Sequence, residues 1–249
     1  MKTSKSTIVL GCLFLSATIS RAASHQVIIP GSGMDLVAYC FNTNDLENAL
    51  PNVPDNTIVY LWDATNQQYY SSIGGGGTWF PNYNLSPGQG FLIKNPLTED
   101  HTYTIQGTPL TASSYTLTFP DPSKLYLVGP AYDIDVDGGA NWLECISDCF
   151  GNYRYTQASY NYQGSNGDTV WFWCPDSQAW SADIVRTTPS CEVVWGGATC
   201  TECSPQLTWG SNNCAGLLNN GGHHRAIFLK PAGGTASWTQ LPSGQTCGS

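Results

Sequence analysis

The sequence predicts an all-β fold made of two related β-modules in tandem, rich in hairpins, with one or two short helices and disulfide-stapled loops. Three observations predict it. Short runs of Val, Ile, Thr and aromatic residues recur between Gly, Pro, Asn and Asp. The same landmarks appear twice in the same order. The chain also carries ten cysteines, the usage of an exported, oxidised protein.

In chain order, Lys2 and Lys5 precede an apolar run from Thr7 to Ile19, and Ser20-Arg21-Ala22 offers small residues for cleavage. That is the pattern of a secretory signal peptide over residues 1–22, and the run is too short for a comfortable membrane span. The first β-module is expected over 23–120, and the second, with two Cys-rich insertions, over 121–249. Met34-Asp-Leu-Val-Ala-Tyr-Cys-Phe41 is matched by Leu125-Tyr-Leu-Val-Gly-Pro-Ala-Tyr132. Val59-Tyr-Leu-Trp-Asp63 is matched by Val170-Trp-Phe-Trp-Cys174, and each is followed by a polar turn. Gln67-Gln68-Tyr69 then answers to Gln178-Ala179-Trp180, and Thr78-Trp79 to Thr208-Trp209. Phe91-Leu-Ile-Lys94 answers to Ile227-Phe-Leu-Lys230, and Thr102-Tyr-Thr-Ile105 to Ser237-Trp-Thr-Gln240. The insertions lie between Val128 and Trp173 and between Trp173 and Trp209.

Val59 to Tyr70 reads as a hairpin, Gly74 to Gly77 as a glycine loop, and Pro87-Gly-Gln-Gly90 as a tight turn. Asn44 to Leu50 and Leu143 to Phe150 carry weak helical character. The recurring Trp62, Trp79, Trp173 and Trp209 are expected in the core.

The first module resembles a class of bacterial exported repeat proteins. The resemblance rests on Leu36-Val37, on Val53-Pro-Asp-Asn-Thr-Ile-Val-Tyr-Leu-Trp62 and on Pro87-Gly-Gln-Gly-Phe-Leu-Ile-Lys-Asn-Pro96. In the second module the last motif degenerates, with Gly221-Gly-His-His224 where Pro-Gly-Gln-Gly would stand. The resemblance implies an exported, repeat-built surface or envelope protein and brings no catalytic residues.

The formal net charge is −9, and loss of Lys2, Lys5 and Arg21 makes the mature chain more acidic. Such a surface repels phosphate backbones, which argues against nucleic acid as a partner. With Cys12 in the leader, an odd number of cysteines remains: Cys40, Cys145, Cys149, Cys174, Cys191, Cys200, Cys203, Cys214 and Cys247. They are read as disulfide formers that staple the long loops, in pairings that sequence alone does not give. Cys247 is the expected odd residue, open to an intermolecular disulfide. A zinc site from Cys191, Cys200, Cys203 and Cys214 is the weaker alternative in an oxidising compartment.

Asp133-Ile-Asp-Val-Asp-Gly138 opens a run that ends in Glu144 and matches the calcium-loop pattern D-x-D-x-D-G-x5-E. Asp133, Asp135 and Asp137 would converge on one cation, Gly139 would offer its carbonyl, and Glu144 would close the site with two oxygens. No helix signal precedes it, so an acidic surface turn is the competing reading. Tyr153 with Tyr155, and Tyr160 with Tyr162, would share strand faces and could form a glycan platform. His223 and His224 are adjacent and would point to opposite strand faces, so they make a poor metal pair.

No nucleophile-elbow, zinc-protease or phosphate-loop motif is present. The expectation is an extracellular or cell-surface structural or adhesion protein, non-catalytic and calcium-stabilised, with other surface proteins or polysaccharide as partners. A glycan-binding module is the first alternative, and a secreted hydrolase the second. Calorimetric titration of the mature protein tests the calcium expectation. Saturable binding that raises the melting temperature, and is lost in Asp135→Ala, is expected. No heat at millimolar calcium, the concentration range of weak extracellular sites, would reduce the loop to a turn.

Overall fold

The computed structural model describes residues 23–132, 145–147, 153–155, 162–163, 167–174, 178–186, 193–195, 198–200, 206–207 and 226–240. Among them the strands are β1 (Ala23–Ile29), β2 (Met34–Tyr39), β3 (Asn44–Asp45), β4 (Thr57–Asp63), β5 (Gln68–Gly75), β6 (Thr78–Phe80) and β7 (Asn84–Leu85). There follow β8 (Gln89–Lys94), β9 (His101–Gly107), β10 (Tyr115–Phe119), β11 (Tyr126–Val128), β12 (Cys145–Ser147), β13 (Tyr153–Tyr155) and β14 (Tyr162–Gln163). The last are β15 (Thr169–Cys174), β16 (Ala179–Arg186), β17 (Val193–Trp195), β18 (Ala198–Cys200), β19 (Gln206–Leu207), β20 (Ile227–Lys230) and β21 (Ala236–Gln240). One helix, α1 (Leu46–Ala49), falls inside the expected segment and is capped by Asp45, whose carboxylate accepts from the Asn48 N–H at 2.9 Å. The protein is all-β, as its strand-length apolar runs predict.

One long sheet carries both halves, in the order β19-β16-β15-β20-β11-β8-β4-β5-β6, with β2 on the other side of β8. Alternation along β4 sends Val59 and Leu61 to one face and Tyr60 and Trp62 to the other. The first face meets Tyr39, Phe91 and Ile93, together with Tyr103 and Ile105 of β9 and Leu46 and Leu50 from α1 and its end. Strands β1 and β9 pair as a separate two-stranded layer.

The motif residues of the first half have local work to do. Gly88 has φ +73°, and Gln89 N–H donates to Ser86 O at 3.0 Å, closing the turn before β8. Thr57 Oγ1 donates to Pro54 O at 2.7 Å. Buried Asn95 accepts from Leu97 N–H and Tyr103 O–H, and its amide faces the carbonyls of Ile29, Pro30 and Glu99. It ties the exit of β8 to the ends of β1 and the start of β9.

Two local expectations are corrected. Gly74 and Gly75 belong to strand β5 rather than to a loop. A Cβ on Gly74 would lie 2.8 Å from the Trp79 ring, and one on Gly75 would lie 2.6 Å from the Asp55 carboxylate, so close packing selects glycine inside the strand. Within Leu143–Phe150, Cys145–Ser147 is strand and pairs antiparallel with Tyr153–Tyr155. Pairing overrides a weak local preference there; the rest of that segment lies outside the described residues.

The two halves pair in the same register. Leu36 opposes Leu92 and Val37 opposes Phe91; Leu127 opposes Phe228 and Val128 opposes Ile227. Trp62 faces Tyr69 across its hairpin, and Trp173 faces Trp180. Strand β1 pairs with β9, while β10 pairs with β21. The halves also join reciprocally, Val128 opposing Gln89 and Ala226 N–H donating to Leu36 O at 3.4 Å.

Equivalent residues therefore meet at the seam, and they meet as a glycine against an alanine. A Cβ on Gly129 would sit 2.3 Å from the Cβ of Ala38, and one on Gly90 would sit 2.6 Å from the Cβ of Ala226. Neither glycine needs a left-handed backbone, so space alone excludes a side chain. Gly129→Ala is expected to cost about 1–3 kcal/mol by overpacking. The exchange Ala38→Gly with Gly129→Ala should recover much of that loss in denaturant unfolding. Additive losses would place the strain elsewhere.

Candidate functional site

The halves are held by two matching sets of hydrogen bonds. Trp62 Nε1–H donates to Leu125 O at 2.9 Å. Gln67 donates to the same carbonyl at 3.1 Å and accepts from Leu125 N–H at 2.9 Å. In the other half, Trp173 Nε1–H donates to Met34 O at 2.8 Å. Gln178 donates to that carbonyl at 3.0 Å and accepts from Met34 N–H at 2.9 Å. Each hairpin thus grips the edge where the other half's strand begins. Both glutamines adopt positive φ, +55° and +48°, which turns the chain just before β5 and β16. The first turn is fixed by Asp63, whose carboxylate accepts from the side chain of Asn66 at 2.7 Å and from the Thr65 and Asn66 N–H groups. The Asn66 side-chain bond, with the backbone donors behind it, holds the Asp63 carboxyl below the usual range.

This geometry gathers aromatic rings at the seam. Leu36, Leu92, Leu127, Trp173, Ala226 and Phe228 are buried together, with Tyr60, Trp62 and Trp171 half-covered around them. Trp62 meets Phe228 edge-on at 5.1 Å and Tyr69 at 4.9 Å. Trp180 lies 5.1 Å from Trp173 and 5.4 Å from Phe228, and Tyr69 lies 6.3 Å from Phe228. Such pairs add about 0.5–1.5 kcal/mol each beyond area burial. Tyr69 and Trp180 hold equivalent positions after the two turns, lean on one Phe228 from either half, and are each 41 % exposed. They form an open ring pair backed by a packed aromatic base. Rings held this way can stack on a sugar face or an apolar side chain without losing rotamer freedom on binding.

The residues singled out by sequence fall as follows. Asp133, Asp135, Asp137, Gly139 and Glu144 lie outside the described residues. Tyr153 and Tyr155 lie on β13, Tyr162 is on β14 opposite Trp238, and Tyr160 lies outside the described residues. Cys40 is buried, its sulfur 3.4 Å from His25 Nδ1. Cys145, Cys174 and Cys200 stand on β12, β15 and β18. Cys149, Cys191, Cys203, Cys214 and Cys247, and His223 and His224, lie outside the described residues. Trp79 is core and donates to Leu50 O, and Trp173 is buried at the seam. Trp62 is a half-covered member of the ring cluster rather than a fully buried core residue; Trp209 lies outside the described residues.

Tyr69 and Trp180 enter the sequence reading as repeat landmarks and not as a site. The available signal is their position directly across a hairpin from a recurring Trp, which alternation places on the same face as that Trp. Among the described residues, no three His, Cys, Asp or Glu side chains come together. A shallow depression of about 180 Å³ near Asn52, His101 and Gln106 is lined by no carboxylate. No family model, curated protein or solved structure matches the chain, so the functional reading rests on this geometry.

Burial pushes the Tyr69 phenol up from 10.0 to about 12 and, in the first-half core, the Tyr39 phenol likewise to about 12. The folded chain keeps both protonated where the unfolded chain would ionise them. The stability this supplies is full below about pH 10 and is lost as the pH rises through about 12. In an alkaline absorbance titration, Tyr69→Phe should remove a phenol that ionises near the upper end. Loss of one that ionises near the ordinary value would contradict the packing of this ring.

Proposed function

We propose that this chain is an exported, non-catalytic structural or adhesion protein of the cell surface, acting through the ring pair at its seam. The observation that carries this reading is the open, symmetric placement of Tyr69 and Trp180 on a buried aromatic base. An aromatic surface is costly to leave exposed without a partner. Repeated register, the reciprocal seam and the ordered sequence landmarks support descent of the two halves from one duplicated module. The signal-peptide pattern and the cysteine usage support export and disulfide stapling of the second half. The D-x-D-x-D-G run supports calcium as a stabilising ion.

One specific observation favours a glycan as the ligand. The exposed pair is aromatic in both halves, Tyr in one and Trp in the other, and flat rings match sugar faces better than they match a charged partner. The test is retention of the purified mature protein on the producing cells' envelope fraction and, in parallel, on a polysaccharide array. Retention on the envelope that falls at least tenfold in Tyr69→Ala/Trp180→Ala supports adhesion through this surface. Retention on isolated polysaccharide with the same sensitivity supports the glycan reading. Equal retention of the variant, or none by either protein, rejects the surface as the site.

A further inference from the structure

We propose that the protein self-associates, a second copy of the chain covering a bare row of the first half's sheet that the intramolecular seam leaves open. The proposal rests on the reading of the chain as an assembly or adhesion protein, but it uses residues away from the ring pair.

The register defines the row. Met34 opposes Lys94, Lys94 opposes Ile58, Ile58 opposes Ile73, and Ile73 opposes Phe80, so five strands contribute one residue each to a single face. Ile73 is 52 % exposed and Phe80 is 84 % exposed. One step along the same face, Leu36 and Leu92 are buried beneath the second half. Met34, at the inner end of the row, also packs on that cluster, so the row is covered at Met34 and bare at Ile73 and Phe80. Four of the five large exposed apolar side chains among the described residues, Tyr69, Ile73, Phe80 and Trp180, lie on the face that carries the seam cluster.

What covers the inner end indicates what fits the outer end. The cover is the equivalent face of the other half: Leu127, Phe228, Trp171 and Trp173 answer by register to Leu36, Leu92, Tyr60 and Trp62. The face already packs on its own kind, and the bare row is continuous with that interface. Strand β6 ends the sheet path, but its Trp79 N–H is held by the Glu47 carboxylate at 3.3 Å, so the second copy meets the side-chain face and does not extend the sheet. A two-fold contact would set Ile73 and Phe80 of one copy against the same residues of the next, the isologous arrangement most dimers adopt. Charge does not oppose it. The chain as a whole is net −9, yet the row contains Lys94 as its one ionisable side chain; the Asp55 carboxylate lies beside it over Gly75, at the rim of the contact.

Sedimentation velocity of the full mature protein, from about 1 to about 100 μM, tests this. A concentration-dependent dimer is expected. Phe80→Ser and Ile73→Thr should each weaken it at least tenfold, while Tyr69→Ala/Trp180→Ala leaves it unchanged. Phe80 is exposed enough that its replacement leaves folding intact, to be checked by circular dichroism. A monomer throughout the range, or a dimer indifferent to both row substitutions, overturns the proposal. Envelope retention measured in parallel separates the two readings: a wild-type monomer that is still retained through the ring pair overturns self-association alone, and a dimer sensitive to Phe80→Ser whose retention is indifferent to Tyr69→Ala/Trp180→Ala overturns the ring-pair reading alone.

Discussion

The structure depends on an exchange of backbone recognition between its halves. Met34 opens β2 and Leu125 directly precedes β11, and the N–H and C=O groups of both take partners from the other half. Each is answered by a glutamine amide and an indole N–H from the opposite hairpin. An amide hydrogen bond contributes about 0.5–1.5 kcal/mol net; the bonds to Leu125 and the indole bond to Met34 are half-buried, and those from Gln178 are exposed. Because both sets are reciprocal, each half satisfies a strand entrance of the other, beside the Val128–Gln89 pairing that joins their sheets. The long sheet follows from this, running through β20, β11 and β8 without a break.

Close approach at the seam then constrains everything nearby. Where equivalent residues meet, one partner of each pair is glycine, Gly129 against Ala38 and Gly90 against Ala226. The backbones come near enough for Trp62 of one half to pack on Phe228 of the other. The same proximity carries Tyr69 and Trp180 to a common base while leaving their outer faces to solvent. The exposed ring pair is thus a consequence of how the halves join and belongs to neither half by itself.

Strand-scale features were legible in the sequence because they are local. The β4–β5 hairpin follows from alternation around a polar turn, and the turn before β8 from Pro87-Gly88. The repeat landmarks also align with the pairing: Val59–Asp63 and Val170–Cys174 occupy matching places against β8 and β20. The seam was not legible. Gln67 and Gln178 stood out as landmarks, but their partners lie 58 and 144 residues away, and nothing local marks a glutamine as a clamp. Tyrosine density drew attention to 153–162, whereas Tyr69 and Trp180 stand in different halves of the sequence and become a pair only through long-range packing. Gly74 read as a loop residue because its partner ring, Trp79, acts across a turn. Cys145–Ser147 read as helical because its strand partner lies beyond the window that local preference senses.

The most direct test of the reciprocal clamp is calorimetric unfolding of the protein beside Gln67→Met, which keeps the side chain's length and removes its hydrogen bonds to Leu125. If the clamp unites the halves, the wild type unfolds in one transition whose calorimetric and van't Hoff enthalpies agree, and the variant's whole transition moves to lower temperature together. Two separate transitions, with Gln67→Met shifting only one of them, would contradict the account.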